Sequence, residues 1–216
     1  MKKIAVILSG SGVFDGSEIH EAVLALHAIE QEGASWHCFA PNIDQHHVIN
    51  HLTGEPMDES RNVLIEAARI ARGNIDDVEN LVSADYDALL LPGGFGAAKN
   101  LSDFAFAGSQ CTVHPAVKRV CQKFADEEKP AGYLCIAPAM IPLIYGAGAK
   151  GTIGNDPGTA KAFNDMGGEH IECPVGDFVL DQKRRLLTTP AYMLAGSISE
   201  AACGINKLVK ELVKLA

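Results

Sequence analysis

The sequence has no CxxC pair, no apolar run near the roughly 18 residues a spanning helix needs, no internal repeat and a single tryptophan among 216 residues. Each absence removes a class of protein. Six cysteines (Cys38, Cys111, Cys121, Cys135, Cys173, Cys203) are scattered too thinly for a disulfide scaffold, so reduced thiols are expected. Positive charge is scarce as well: 18 Lys and Arg against 27 Asp and Glu leave a net charge of −9, which argues against nucleic acid or an anionic membrane as partner. The opening run Ile4 to Leu8 is too short for the apolar core of a signal peptide and reads as a first strand in a cytoplasmic protein. A small-molecule partner is expected.

What is present suits one globular domain over residues 1–216, with 47% hydrophobic and 21% charged residues. Short aliphatic runs alternate with helical periods, the pattern of an α/β sandwich whose mostly parallel sheet carries helices on both faces. Ile4 to Leu8, Trp36 to Ala40, Tyr86 to Leu91 and Ala131 to Leu134 are the expected main strands. A strand near Gly151 to Gly154 and a hairpin around Asp181-Gln182 follow. Asp15 and Glu18 have capping-box spacing ahead of a helix whose stripe is Ile19, Val23, Leu26 and Ile29 or Glu30. Residues 41–58 form an elaborated loop, Ile136 to Tyr145 a buried helix, and Ile198 to Leu212 part of a final helix.

Ligand sites in open parallel sheets lie beyond the carboxyl ends of the strands. Cys135 falls there, on a sharp turn between a four-residue strand and a helix, where a helix N-terminus and free N–H groups favour thiolate and lower the thiol pKa. It is the candidate nucleophile; Cys121 and Cys203 read as apolar fillers of helix faces. Gly93 and Gly94 follow a strand at the same sheet edge, and with Ile136 they offer backbone N–H groups for an oxyanion hole. Glu18 lies at that edge too, either as an acid–base group or as half of the capping box. His47 and His51 are four residues apart but lack a third ligand, and His20-Glu21 does not continue to HExxH because Leu24 occupies the second histidine position, so no metal is assigned.

The order Asp15-Gly16-Ser17-Glu18, Leu89-Leu90-Leu91-Pro92-Gly93-Gly94, Tyr133-Leu134-Cys135 resembles the ThiJ/PfpI superfamily, within the class I glutamine amidotransferase-like fold. The stretches Ser9 to Glu21 and His47 to Glu55 resemble most closely the isoprenoid biosynthesis glyoxalase, ElbB-type subgroup, over essentially the whole chain. That resemblance implies a single-domain flavodoxin-like sandwich with a nucleophile elbow, a homodimer, and no cofactor. It further implies Cys135 as nucleophile, protonated Glu18 bonded to its thiolate, and Gly94 and Ile136 as oxyanion-hole donors. The activity implied is glutathione-independent conversion of a small dicarbonyl, glyoxal to glycolate, or protein deglycation. Asn155, where relatives carry a histidine, and His20 are further pocket candidates. The chain departs from the family at Ile136, which replaces a histidine, and at Thr188 to Tyr192, where an amidotransferase His-x-Glu is missing; peptidase and glutaminase chemistry therefore lack a base. The alternative to catalysis is a cysteine redox sensor or partner-binding regulatory protein.

Overall fold

A computed structural model describes all of residues 1–216. In chain order the elements are β1 (Lys3–Ile7), α1 (Ile19–Gln31), β2 (Ser35–Ala40), α2 (Val63–Ile70), β3 (Ile75–Asp77), β4 (Ala88–Leu91), α3 (Phe95–Lys99), α4 (Phe104–Ala107), α5 (Pro115–Asp126) and β5 (Ala131–Leu134). They continue with α6 (Ile141–Tyr145), β6 (Lys150–Gly151), α7 (Pro157–Asp165), β7 (Glu169–His170), β8 (Val179–Asp181), β9 (Leu186–Thr189) and α8 (Ile198–Leu215). Seven strands form one sheet in the order β3-β2-β1-β4-β5-β9-β8, parallel except for the antiparallel β8–β9 edge. β6 and β7 pair in a separate two-stranded ribbon, which is where the strand expected near Gly151 lies.

The two-residue period of β1 divides the core. Ile4, Val6 and Leu8 join Ala22, Ala25 and Ile29 of α1 and Ile205, Leu208 and Leu212 of α8 on one face. Ala5 and Ile7 join Val117, Val120 and Phe124 of α5 and Ile141 and Ile144 of α6 on the other. Burial on both faces is why these central strands are continuous apolar runs.

Several local expectations are corrected. α1 starts at Ile19 with Glu18, not Asp15, as its N-cap, and its buried stripe runs through Glu21, Ala22, Ala25, Leu26, Ala28 and Ile29, while Ile19 and Val23 are half exposed. Ile136 to Tyr145 is not one helix: a 3-10 turn, Ala137–Met140, precedes the short α6, with Pro138 and Pro142 withholding two backbone donors. Cys203 is exposed rather than packed, and the buried face of α8 presents Ala201 and Gly204 in place of Ile198 and Ala202. The loop at 41–58 is ordered by the bridges Asp44 to Asn62 and Ile49 to Pro56, and is tied to the β1–α1 turn where Asp15 Oδ2 accepts from Ile49 N at 2.8 Å.

Candidate active site

β4, β5 and β9 end side by side, and the three turns that leave them converge on Cys135. Cys135 has φ of +58°, a left-handed conformation that a cysteine adopts only where surrounding structure enforces it. Two contacts do so here. Its N–H donates to the Thr189 carbonyl at 3.0 Å. On the other side the β4–α3 turn presses so close that a Cβ on Gly93 would lie 2.3 Å from Cys135 Cβ and 2.9 Å from its sulfur. Gly94, at φ of +91°, has no room either, since a Cβ there would meet Glu18 N at 2.3 Å. The N–H groups of Gly94 and Ile136 are directed at the cysteine sulfur.

The acid beside the thiol is Glu21. Its carboxyl is fully buried, in hydrogen-bonding contact with Cys135, and fixed by two backbone donors: Gly93 N to Oε2 at 2.8 Å and Tyr192 N to Oε1 at 3.1 Å. The second donor is aimed by Ala191, itself at φ of +44°. Glu18, the expected partner, instead caps α1: its Oε2 accepts from Glu21 N at 2.6 Å, so it holds the first helical turn on which Glu21 stands. The correction has a simple geometric cause. Glu18 precedes the helix with extended backbone and its carboxyl folds back onto the first turn, whereas Glu21 lies within the helix on its buried side with Ala22 and Ala25.

Burial raises Glu21 to about 7, with the Glu18 charge adding and the N–H groups of Tyr192 and Gly93 opposing. Burial also pushes the Cys135 thiol up, the Glu21 charge adds to the rise, and the donors Gly94 and Ile136 oppose it. A thiol lowered by a helix N-terminus is thus not what the structure contains: the segment that follows is a proline-containing 3-10 turn, and the neighbour is an anion. The two groups form a coupled dyad sharing protons, in which the carboxylate is poised to take the thiol proton. One expected consequence concerns stability. A carboxyl raised from 4.5 to about 7 retains its proton in the folded chain after the unfolded chain has lost it, so stability falls as pH rises from 4.5 to 7, by about 3 kcal/mol. Denaturation at pH 4.5 to 8 is expected to show this loss for wild type, and Glu21→Gln to lack that part of the slope.

Cys135 opens into a cavity of about 290 Å3 lined by 12 residues, nine of them hydrophobic, while Glu21 stays fully buried outside the lining. Phe95, Phe104, Ile136 and Met193 form its walls, with Glu18, Thr159 and Tyr192 as polar members. His20 does not line the cavity and is solvent exposed; its Nδ1 meets the Tyr192 hydroxyl at 2.9 Å, so it reaches the site through that tyrosine. Asn155 is exposed and outside the lining, where Thr159 stands instead. His47 stacks with His46 and Phe106, whereas His51 packs on Phe14, and no three His, Cys, Asp or Glu side chains converge as a metal site. Sequence reasoning missed Glu21, Tyr192, Phe104 and Thr159. The alanines Ala22, Ala25 and Ala28 marked the close-packed face of α1 and would have placed Glu21 beside it.

No family model matches the chain. It is 43% identical over 223 residues to glutamine amidotransferase-like class 1 domain-containing protein 3, mitochondrial, of Homo sapiens, covering 99% of the chain and 83% of the relative. The crystal structure of an isoprenoid biosynthesis protein with amidotransferase-like domain from Ehrlichia chaffeensis superposes with TM-score 0.93 at 37% identity, over 100% of this chain and 99% of that one. Glyoxalase III of Candida albicans has the same fold at TM-score 0.63 and 15% identity, over 99% and 97% of the two chains. Curated relatives are named mitochondrial, which overturns the cytoplasmic expectation. That expectation rested on the short opening apolar run, which is the central strand β1 and carries no information on compartment.

Proposed function

The chain belongs to the class I glutamine amidotransferase-like family, in the ThiJ/DJ-1/PfpI superfamily and its ElbB-like subgroup, and from that premise we propose that it is a cysteine-dependent, glutathione-independent glyoxalase. The observation that carries this reading is the buried Cys135–Glu21 dyad, whose cysteine lines an apolar cavity with no histidine in its lining. An aminated or peptidic leaving group needs a histidine-like acid; an aldehyde adding a thiol does not.

With glyoxal, the Cys135 sulfur forms a bond to one aldehyde carbon while its proton passes to the Glu21 carboxylate, and the N–H groups of Gly94 and Ile136 hold the oxygen that becomes negative. Glu21 returns that proton to the oxygen, giving a neutral hemithioacetal. Glu21 then removes the hydrogen from the sulfur-bearing carbon and delivers it to the neighbouring carbon through an enediolate, while the hydroxyl proton of the first carbon passes to the oxygen of the second, leaving a thioester carbonyl and a hydroxymethyl group. One carbon is oxidised and the other reduced, so no external oxidant or reductant enters. Water cleaves the resulting thioester to glycolate and restores the thiol. A carboxyl near 7 is matched to taking and giving a proton at neutral pH. The kcat/KM for glyoxal is therefore expected to rise with pH through an apparent pKa of about 7 that belongs to the dyad, and to fall only above the ordinary thiol range. A profile flat from pH 5 to 9 would contradict the role of Glu21.

A further inference from the structure

The cavity is too large and too apolar for glyoxal. Its volume of about 290 Å3 equals roughly ten waters at about 30 Å3 each, whereas glyoxal has four heavy atoms. The polar side chains that line it are engaged elsewhere. Thr159 Oγ1 donates to Asp156 at 2.7 Å, the Tyr192 hydroxyl meets His20, and Glu18 caps α1. No lysine, arginine or histidine lines it, so no side-chain cation there pairs with a phosphate or carboxylate. Glu18 in the lining, on a chain of net charge −9, repels anions further. What faces the remaining space is hydrocarbon from Phe95, Phe104, Ile136 and Met193.

We propose that the physiological ligand class is a neutral α-oxoaldehyde bearing an apolar substituent of about six carbons, branched or aromatic, with the aldehyde at Cys135 and the substituent against Phe104 and Met193. The chemical part rests on the glyoxalase reading; the binding part does not. The product is the corresponding 2-hydroxy acid, R–CO–CHO plus water giving R–CHOH–COO⁻ and a proton. Its new carboxylate shares the cavity with the Glu18 carboxyl, which favours release. Burial of each methylene is worth about fourfold in affinity, so specificity should rise steeply with substituent size until the cavity is full.

Two arms separate the claims. In the first, Cys135→Ala protein, which has no nucleophile, is titrated by NMR with acetone, 4-methyl-2-pentanone, acetophenone and benzoylformate. The six-carbon ketone and acetophenone are expected to bind at least about tenfold tighter than acetone, and benzoylformate, the same ring with a carboxylate, at least about tenfold weaker than acetophenone. Equal affinities, or preference for benzoylformate, overturn the apolar-ligand inference. In the second, wild type is assayed with glyoxal and phenylglyoxal, and phenylglyoxal is expected to have at least about tenfold higher kcat/KM. Ala105→Leu at the exposed mouth is expected to narrow that ratio by at least about fivefold. Turnover of glyoxal with no gain for phenylglyoxal overturns the substrate class and leaves the glyoxalase reading standing. Tight acetophenone binding without Cys135-dependent turnover of either aldehyde overturns the glyoxalase reading and supports the apolar ligand.

Discussion

Cys135→Ser is expected to lower dicarbonyl turnover by at least about 10⁴-fold, because replacing the nucleophile removes the covalent route altogether. Serine fits the same elbow but its hydroxyl ionises far above the thiol, and a carboxylate near 7 is too weak to take its proton. The fold should survive. The strained φ of +58° is held by the bond from residue 135 N to Thr189 O and by the packing of Gly93, neither of which involves the sulfur chemically. Matching circular dichroism and thermal midpoint, alongside lost activity, is the expected pair of results. Turnover within tenfold of wild type would remove Cys135 from the mechanism.

The second large effect separates two carboxylates three residues apart. Glu21→Gln is expected to lower kcat by about 10² to 10⁴-fold, since the amide neither accepts the thiol proton nor returns it. It also turns an NH2 toward one of the two backbone donors, Gly93 N or Tyr192 N, that Glu21 satisfies. Glu18→Ala is expected to act differently, costing about 1 kcal/mol of stability by uncapping α1 while lowering kcat far less than Glu21→Gln. Stopped-flow or steady-state kinetics on both variants, with denaturation curves beside them, reads the two effects apart. The reverse ranking would return the acid–base role to Glu18.

The contrast between these carboxylates shows which features the sequence made legible. The architecture was readable because it rests on long signals: doubly buried strands such as Ile4 to Leu8 and Leu89 to Leu91, and a lone cysteine following Ala131 to Leu134. The elbow, the two N–H donors and the convergence of turns at one sheet edge follow from that strand order. Which face of α1 is buried did not, because bulk was weighed over closeness. Ile19 and Val23 are larger than Ala22 and Ala25, yet the alanines join Leu26 and Ile29 on the face of α1 packed in the core, and the isoleucine and valine are left half exposed. The thiol pKa was misjudged for a related reason: the turn after Cys135 contains Pro138 and is buried, so desolvation and the Glu21 charge outweigh its backbone donors. Cavity residues contributed from afar, such as Tyr192 and Thr159, belong to no local motif and became visible only in three dimensions.

The measurement that bears most directly on the dyad follows glyoxal by NMR with wild type, Cys135→Ala and Glu21→Gln, without glutathione and with a chelator present. Glycolate from wild type alone, in amounts equal to the glyoxal consumed, is the expected result. Loss of glyoxal without glycolate, or the same glycolate yield from Cys135→Ala, would contradict catalysis by Cys135 and Glu21 and would favour a cysteine that binds or senses instead.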